Sequence, residues 1–418
     1  MSQSNIRTTS QVPQGYIEYS ISVSLGVKGM DTTMTSSRAF AFMARATRGL
    51  EWVVAAELKG KLKASIISIS HREVHFSLPV MDLRLMELRT VDDVFLTCGT
   101  IEGIDHTRAS LQRLIEGMQQ LDLASTLHDL MRIRSVQYTN RFDIVGSFLG
   151  RRNYNRYEIE EAVGHTISTK FTAIQQPSSQ RAGADISWRL HLRNTDAYVG
   201  LRLLPAPLHR RRYRSSSYKG SLHPPVAAAM ALISGLRPNS VFLDPFCGSG
   251  TIGIEASYLE SQLLTIVCDI NPLAVLQTHI TASQANIPLH PWIADAGQLP
   301  FNYRVIDRIS CNMPWGRTVP PMGVLRVDPQ SFWRETRRVL HSESRIVILS
   351  ENHELGNSWQ ETLGFCLVLQ CRICIRGRWS TLSVFTLDSH SNLSPIDEWG
   401  LWGTELLDEW ETRPHEEF

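Results

Sequence analysis

Two short segments hold residue types that could do chemistry. The first is Asp244-Pro245-Phe246-Cys247-Gly248-Ser249-Gly250-Thr251. The apolar run Ser240 to Leu243 precedes it and a helical pattern follows, so it reads as a buried strand, an acid, and a Gly-rich loop opening a helix. Gly248 and Gly250 let the backbone turn tightly and come close to a ligand. The following strand, Thr265 to Asp269, ends in a second acid about twenty residues on, where nucleotide folds place a carboxylate on a ribose diol. A pyrophosphate prefers helix-terminal amides with no carboxylate beside them. Asp244 suits a cationic ligand end instead, such as an amino-acid ammonium. S-adenosylmethionine offers an ammonium, a ribose diol and an adenine, and is the cofactor this loop predicts. The candidate contacts are Asp244, Phe246, Cys247, Gly248, Gly250 and Thr251, then Asp269 and Ile270, then Asp295 and Ala296. Asp295 is a natural acceptor for the adenine amino group, although a lone acid there would more often be a turn or cap residue.

The second segment is Cys311-Asn312-Met313-Pro314-Trp315-Gly316, after the strand Val305 to Ser310. An Asn-x-Pro-aromatic turn at a strand end suits methylation of a planar exocyclic amine. The lone pair of such a nitrogen is delocalised into its ring, so it is a poor nucleophile. Hydrogen bonds from its two N–H groups to the Asn312 side-chain oxygen and the Met313 carbonyl would localise that pair towards a methyl donor. Pro314 fixes the turn and has no N–H to compete. Trp315 could stack on the base and hold it in line. Alone, this hexapeptide would read as a Pro turn with a core Trp; its place after the cofactor loop favours methyl transfer.

The elements that must position these residues follow from the hydrophobic pattern. From Leu222, short β-rich runs alternate with helical segments: Ser240 to Leu243, Leu264 to Cys268, Val305 to Ser310, Arg345 to Leu349, Leu367 to Arg376 and Leu382 to Leu387. That is the signature of an α/β sheet with helices on both faces. Ahead of it, Phe40 to Ala46 looks like a strand and Leu50 to Lys59 like an amphipathic helix. Short strands follow at Ile66 to Ile69 and Val74 to Phe76, and a helix at Val80 to Leu88. Further on come a strand at Phe142 to Phe148, a helix at Asn155 to Phe171, and two strands over 185–193 and 197–203. The expected division is a poorly ordered extension 1–38, an α+β unit 39–117, a second unit 118–205, a basic linker 206–221, the α/β domain 222–390 and an acidic tail 391–418.

Composition narrows the class. The chain has 418 residues and is 43% hydrophobic, which excludes wholesale disorder and suits two to three domains. Forty-two Lys and Arg against 41 Asp and Glu exclude a polycation or a polyanion as a description of the whole chain. No apolar run approaches the ~18 residues of a membrane span, and no secretory signal is expected at the N-terminus. Seven thinly spread cysteines favour a reducing compartment, cytoplasmic or nuclear. Cys371 and Cys374 form a CxxC in a strand-like stretch and read as buried thiols, with no metal site expected.

The near-zero net charge hides asymmetry. Residues 189–219 hold eight basic residues and one acid; residues 132–156 hold six arginines and one acid; residues 388–418 hold nine acids and one base. Arginines beside aromatics such as Tyr154, Tyr157, Tyr213 and Tyr218 suit a phosphate backbone with stackable bases. The RNA-facing candidates are Arg151, Arg152, Arg156, Arg210, Arg211, Arg212, Arg214 and Lys219.

With those residues in place, the chain resembles the THUMP-domain RNA methyltransferases that modify N2 of guanosine in tRNA or related RNAs. Asp244 to Thr251 resembles the first cofactor motif of that family, and Asn312 to Gly316 its catalytic (Asn/Asp)-x-Pro-aromatic motif. Met313 stands where the commonest pattern has Pro, and Trp315 where it has Tyr or Phe. Thr47 to Leu58 resembles the start of the ferredoxin-like domain before THUMP. Asn155 to Phe171 and Asp185 to Leu203 resemble the THUMP helix and closing strands, and Arg212 to Pro225 the junction into the catalytic domain. The resemblance covers about residues 40 to 390. It implies a Rossmann-like class I methyltransferase domain behind an α+β ferredoxin-like and THUMP region. It also implies S-adenosylmethionine as cofactor, tRNA gripped by its acceptor end as partner, and catalytic roles for Asn312, Met313, Pro314 and Trp315. Some relatives work with a small zinc-containing activator subunit, a second partner the resemblance raises. Methylation of adenine N6 or of a protein glutamine would use the same turn, and an inactive RNA-binding scaffold is the rival from another class.

Overall fold

The computed structural model describes residues 6–7, 39–134, 141–171, 184–214, 221–314, 319–351 and 363–387. Trp315, Lys219, the acidic tail and most of the N-terminal extension lie outside the described residues. The front half contains β1 (Ile6–Arg7), β2 (Phe40–Arg45), α1 (Glu51–Leu62), β3 (Ser65–Ser70), β4 (Glu73–Leu78) and β5 (Asp93–Glu102). It continues with α2 (Ala109–Gln120), α3 (Leu123–Arg134), β6 (Phe142–Phe148), α4 (Arg156–Lys170), β7 (Ile186–Arg193) and β8 (Asp196–Arg202).

These strands form one mixed sheet, ordered β3-β4-β2-β5-β8-β7-β6, with β1 on β5. Strand β5 pairs antiparallel with β8, so the sheet crosses the expected boundary at residue 117 without a break. One face packs apolar side chains, Phe42, Phe76, Leu96, Trp188 and Leu201 among them, against the four helices in a single core. The opposite face carries cross-strand ion pairs, Arg45 with Glu73 at 2.7 Å and Arg202 with Asp93 at 2.6 Å. Asn155 caps α4 reciprocally: its side chain accepts from the Glu158 amide at 3.2 Å, and Glu158 accepts from the Asn155 amide at 2.8 Å. Over Val80 to Leu88 the structure differs from the sequence reading, with only a 3-10 turn at Leu83–Glu87. Pro79 and the charge-rich, irregular spacing there give no continuous apolar face for a longer helix to bury.

The second half contains α5 (Pro224–Ile233), β9 (Val241–Asp244), α6 (Thr251–Leu259), β10 (Leu264–Asp269), α7 (Pro272–Ala285) and β11 (His290–Ile293). Then come β12 (Ile306–Asn312), α8 (Ser331–Val339), β13 (Leu340–Ser350), β14 (Cys366–Ile375) and β15 (Arg378–Thr386). The sheet order is β11-β10-β9-β12-β13-β15-β14. The first five strands are parallel, and β15 runs antiparallel between β13 and β14. From β9 the chain moves outward through β10 to β11, then returns to lay β12 on the other side of β9. The switch point between β9 and β12 is where an open α/β sheet leaves a crevice at its strand tips.

The halves are joined by burial and by charge. Leu50, Trp52 and Val53 of the front half share a core with Val226 and Met230 of α5 and Leu382 of β15. Glu255 on α6 is fully buried and is held from both sides of the junction. Arg89 donates to it at 2.7 and 2.9 Å, Arg211 at 2.9 Å and the Tyr213 hydroxyl at 2.6 Å. His223 at the start of α5 contacts Asp92 at 2.6 Å. Among the described residues no helix is long and apolar enough to cross a membrane.

Candidate active site

A cleft of about 400 Å³ opens at the switch point. The cofactor loop forms its floor. Strand β9 ends at Asp244, the chain turns through Gly248 (φ +53°) and Gly250 (φ +76°), and α6 starts at Thr251. At Gly250 a Cβ would sit 2.7 Å from Thr278 Cγ2 of α7, so glycine is required there on both dihedral and steric grounds. Three contacts pin the loop: the Cys247 amide to the Cys268 carbonyl at 2.8 Å, the Gly248 amide to Asp269 Oδ2 at 3.0 Å, and the Thr278 hydroxyl to the Gly248 carbonyl at 3.0 Å.

Asp244 is 1% exposed. Its Oδ1 accepts from the Phe246 amide at 3.1 Å, while Oδ2 is buried with no hydrogen-bond partner among the described residues. Burial pushes its pKa up to about 8, and the nearby Asp269 acts in the same direction. A buried carboxylate oxygen without a donor is what a ligand cation would complete. Asp269 spends one lone pair per oxygen on the loop and on the Asn271 amide (2.9 Å), which fixes its carboxylate at the β10 tip. Asp295 is similarly engaged: Oδ1 accepts from the Gly297 amide and Oδ2 from the Val324 amide, both at 2.8 Å.

Asn312 reaches the same cleft from β12. Leu243 of β9 is in register with Ile309, so Asn312 stands two residues beyond the partner level of Asp244. That places it about 7 Å further along the strands and about 5 Å across. The Met313 amide bonds to the Leu349 carbonyl at 2.9 Å, holding the turn in the ladder with β13. Met313 is buried, and Pro314 follows at the cleft wall.

Of the residues singled out in the sequence, Asp244, Phe246, Cys247, Gly248, Thr251, Asp269, Ile270, Asp295, Ala296, Asn312, Met313 and Pro314 all line this one cleft. Gly250 lies behind it, shaping the loop. Val319, Pro320, Met322 and Leu325 also line it and escaped the sequence reading. Their only signal was nearness to the Asn312 turn. Ser221 and Leu222 close it from the linker side, with the Ser221 and Ser249 hydroxyls 2.9 Å apart.

The arginines divide. Arg151, Arg156, Arg210 and Arg212 are exposed. Arg152 is half-buried and spends its guanidinium on the carbonyls of Ile104, Asp105 and Asn194. Arg214 is half-buried beside the Leu222 carbonyl. Arg211 corrects the sequence reading. It is buried in its ion pair with Glu255 and bonds the carbonyls of Leu208 and Arg89, so its charge serves the junction rather than a phosphate. In β14, Cys371 is buried, with its pKa pushed up to about 12 by burial, and Cys374 is half-buried. No group of three or more His, Cys, Asp or Glu among the described residues is placed to hold a metal.

Comparison with known proteins meets this geometry. A family model for RMKL-like methyltransferase domains matches residues 211–362. Ribosomal RNA large subunit methyltransferase K/L of Shewanella pealeana is 28% identical over 242 residues, which is 55% of this chain and 30% of that protein. A tRNA (guanine(6)-N2)-methyltransferase of Thermus thermophilus is 30% identical over 174 residues, 40% of this chain and 49% of the relative. The chain thus spans no more than about half the length of these curated relatives. The crystal structure of TrmN from Thermus thermophilus shares the fold, with a TM-score of 0.67 at 22% identity over 83% of this chain and 99% of that one. The front α+β region and the Rossmann-like domain behind it follow that architecture, and the second half has the fold of S-adenosylmethionine-dependent methyltransferases. Over residues 211–362 the chain is thus similar to the UPF0020 family of RMKL-like methyltransferase domains.

Proposed function

We propose that the chain transfers a methyl group from S-adenosylmethionine to the exocyclic N2 of a guanosine in RNA, with tRNA as the favoured substrate. One observation carries the reading: Asp244 and Asn312 stand at neighbouring parallel strand tips and line a single cleft. The residues present fit the cofactor. Asp244 Oδ2 would receive the ammonium, Asp269 the ribose diol, and the apolar side chains of Phe246 and Ile270 would flank the rest. When bound, the cofactor supplies an electrophilic methyl on a sulfonium.

The chain's own residues prepare the acceptor. Asn312 Oδ1 and the Met313 carbonyl would each take one N–H of the amine, turning its lone pair towards the donor. The Met313 amide is already spent on Leu349, so the turn presents an acceptor and no competing donor. Pro314 has no N–H to interfere. The base must leave its stack to reach this depth. The exposed Arg151, Arg156, Arg210 and Arg212 would hold phosphates, with Lys219 as a further candidate, while the pocket reads the base. Trp315 is proposed to stack on that base. The relatives' printed activities, on ribosomal RNA and on tRNA guanine N2, support RNA over protein and guanine over adenine. The front region is proposed to be a ferredoxin-like and THUMP pair gripping the acceptor end.

The test is incubation with methyl-labelled cofactor and total RNA from cells lacking the protein, followed by nucleoside analysis. The expected product is N2-methylguanosine. Label in N6-methyladenosine, or in protein glutamine from a parallel lysate, would overturn the substrate. Running the assay with the purified chain alone and with co-purifying partners decides whether an activator subunit is needed.

A further inference from the structure

The carboxylate of Asp295 does more in this fold than face a cofactor. It closes β11, and its two oxygens accept from two different backbone segments. The Gly297 amide belongs to its own turn. The Val324 amide belongs to the segment that follows the Asn312–Pro314 turn. The Asp295 carbonyl takes the Gln298 amide at 2.9 Å, so the residue is held from three sides. Opposite it, Gly323 has φ +59°, and a Cβ there would overlap Asp295 Oδ2 and lie 2.5 Å from Ile270 Cδ1. Only a glycine lets residues 319–325 sit flat on Ile270 and Asp295, the tips of β10 and β11. Leu325 is buried and anchors the segment's far end. Val319 and Met322 are 47% and 52% exposed, yet both line the cleft together with Pro320 and Pro314.

We propose that Asp295 is a positioning residue for the target nucleotide: it seats residues 319–325 as the wall of the cleft against which an unstacked purine rests. This rests on the methyl-transfer reading of the cleft. A base taken out of its helix loses apolar contact on both faces. The thioether of Met322 and the methyls of Val319 present adaptable apolar surface to a flat heterocycle. The same carboxylate that borders the cofactor side thereby sets where the acceptor lies, and the two halves of the cleft share one fixed point.

Gly323→Ala is the decisive variant, because it displaces the wall and removes no polar group from the cleft. It is expected to lower kcat/KM for RNA about 100-fold, as a 1 Å misplacement does. Most of this should appear as a raised KM for RNA. Because the added Cβ also presses on Ile270, affinity for S-adenosylhomocysteine is measured alongside and should fall far less than the KM rises. A loss confined to S-adenosylhomocysteine affinity would assign the wall to the cofactor and overturn the proposal. Met322→Ser, which leaves the clamp intact, is expected to raise the same KM more mildly. Hydrogen exchange supplies a readout that needs no activity: the Val324 amide should be protected in the full chain and lose protection in Asp295→Ala. Wild-type KM for RNA in Gly323→Ala, or equal Val324 exchange in the wild type and Asp295→Ala, overturns the proposal. Absence of RNA methylation by the wild type would fail the functional reading and the nucleotide role with it, while Val324 exchange would still report whether the seat exists.

Discussion

Replacing Asp244 by Asn should stabilise the ligand-free protein and abolish cofactor binding, with a pH signature that can be worked out from the structure. The carboxyl is buried, one oxygen has only the Phe246 amide, and the other has no partner among the described residues. Its folded pKa of about 8 lies above the unfolded value of about 3.9. A raised folded pKa means that its contribution to stability is fully present below about pH 4 and is lost as pH climbs towards about 8. At 1.36 kcal/mol per unit, about 1.5 kcal/mol is lost by pH 5 and about 4 kcal/mol by pH 7. Asn carries no charge and escapes this loss. The stability gap between Asp244→Asn and wild type should therefore widen by about 2.5 kcal/mol from pH 5 to pH 7. Urea unfolding of both proteins without ligand measures it. An ammonium at Oδ2 requires the carboxylate, so cofactor binding should expel a proton. Affinity for S-adenosylhomocysteine should then rise about tenfold per pH unit between pH 6 and pH 7.5. Titration calorimetry in buffers of different ionisation enthalpy should show buffer-dependent heat. A constant stability gap together with a flat affinity profile would refute the argument.

Two further outcomes follow from the junction and the surface. Glu255→Gln leaves Arg89 and Arg211 facing a neutral group where Arg211 is almost wholly enclosed. It should cost about 3 kcal/mol of stability by denaturant unfolding, and a loss below about 1 kcal/mol would contradict the role assigned to this network. Arg210→Ala and Arg212→Ala should each weaken RNA binding uniformly across sequences and lower the slope of log affinity against log salt by about one. Arg211→Ala should instead act through stability, and an unchanged slope in both surface variants would remove them from the RNA path.

The cofactor loop was legible because its chemistry is local: strand, acid, glycines and helix follow one another within seventeen residues of sequence, from Ser240 to Ala256. The Asn312 turn was legible for the same reason. That the two meet was implied by the methyl-transfer reading of both segments, and the pairing of β9 with β12, set by the return of the chain across the sheet, brings them together. Strand β5 was overlooked, although it joins the two halves of the front sheet through β8. Arg211 sits in a run of three arginines whose neighbours are exposed, and nothing in the run marks the one that turns inward to Glu255. The wall at residues 319–325 depends on a carboxylate 29 residues earlier in the chain, a distance at which periodicity carries no signal.

We propose that one cleft presents a methyl donor and prepares an exocyclic amine, with Asn312 as the group that readies the nitrogen. Single-turnover methyl transfer to RNA by Asn312→Ala, measured alongside affinities for S-adenosylhomocysteine and RNA, tests it most directly. Transfer is expected to slow by about 1,000-fold or more with both affinities largely intact. Wild-type transfer by that variant would contradict it.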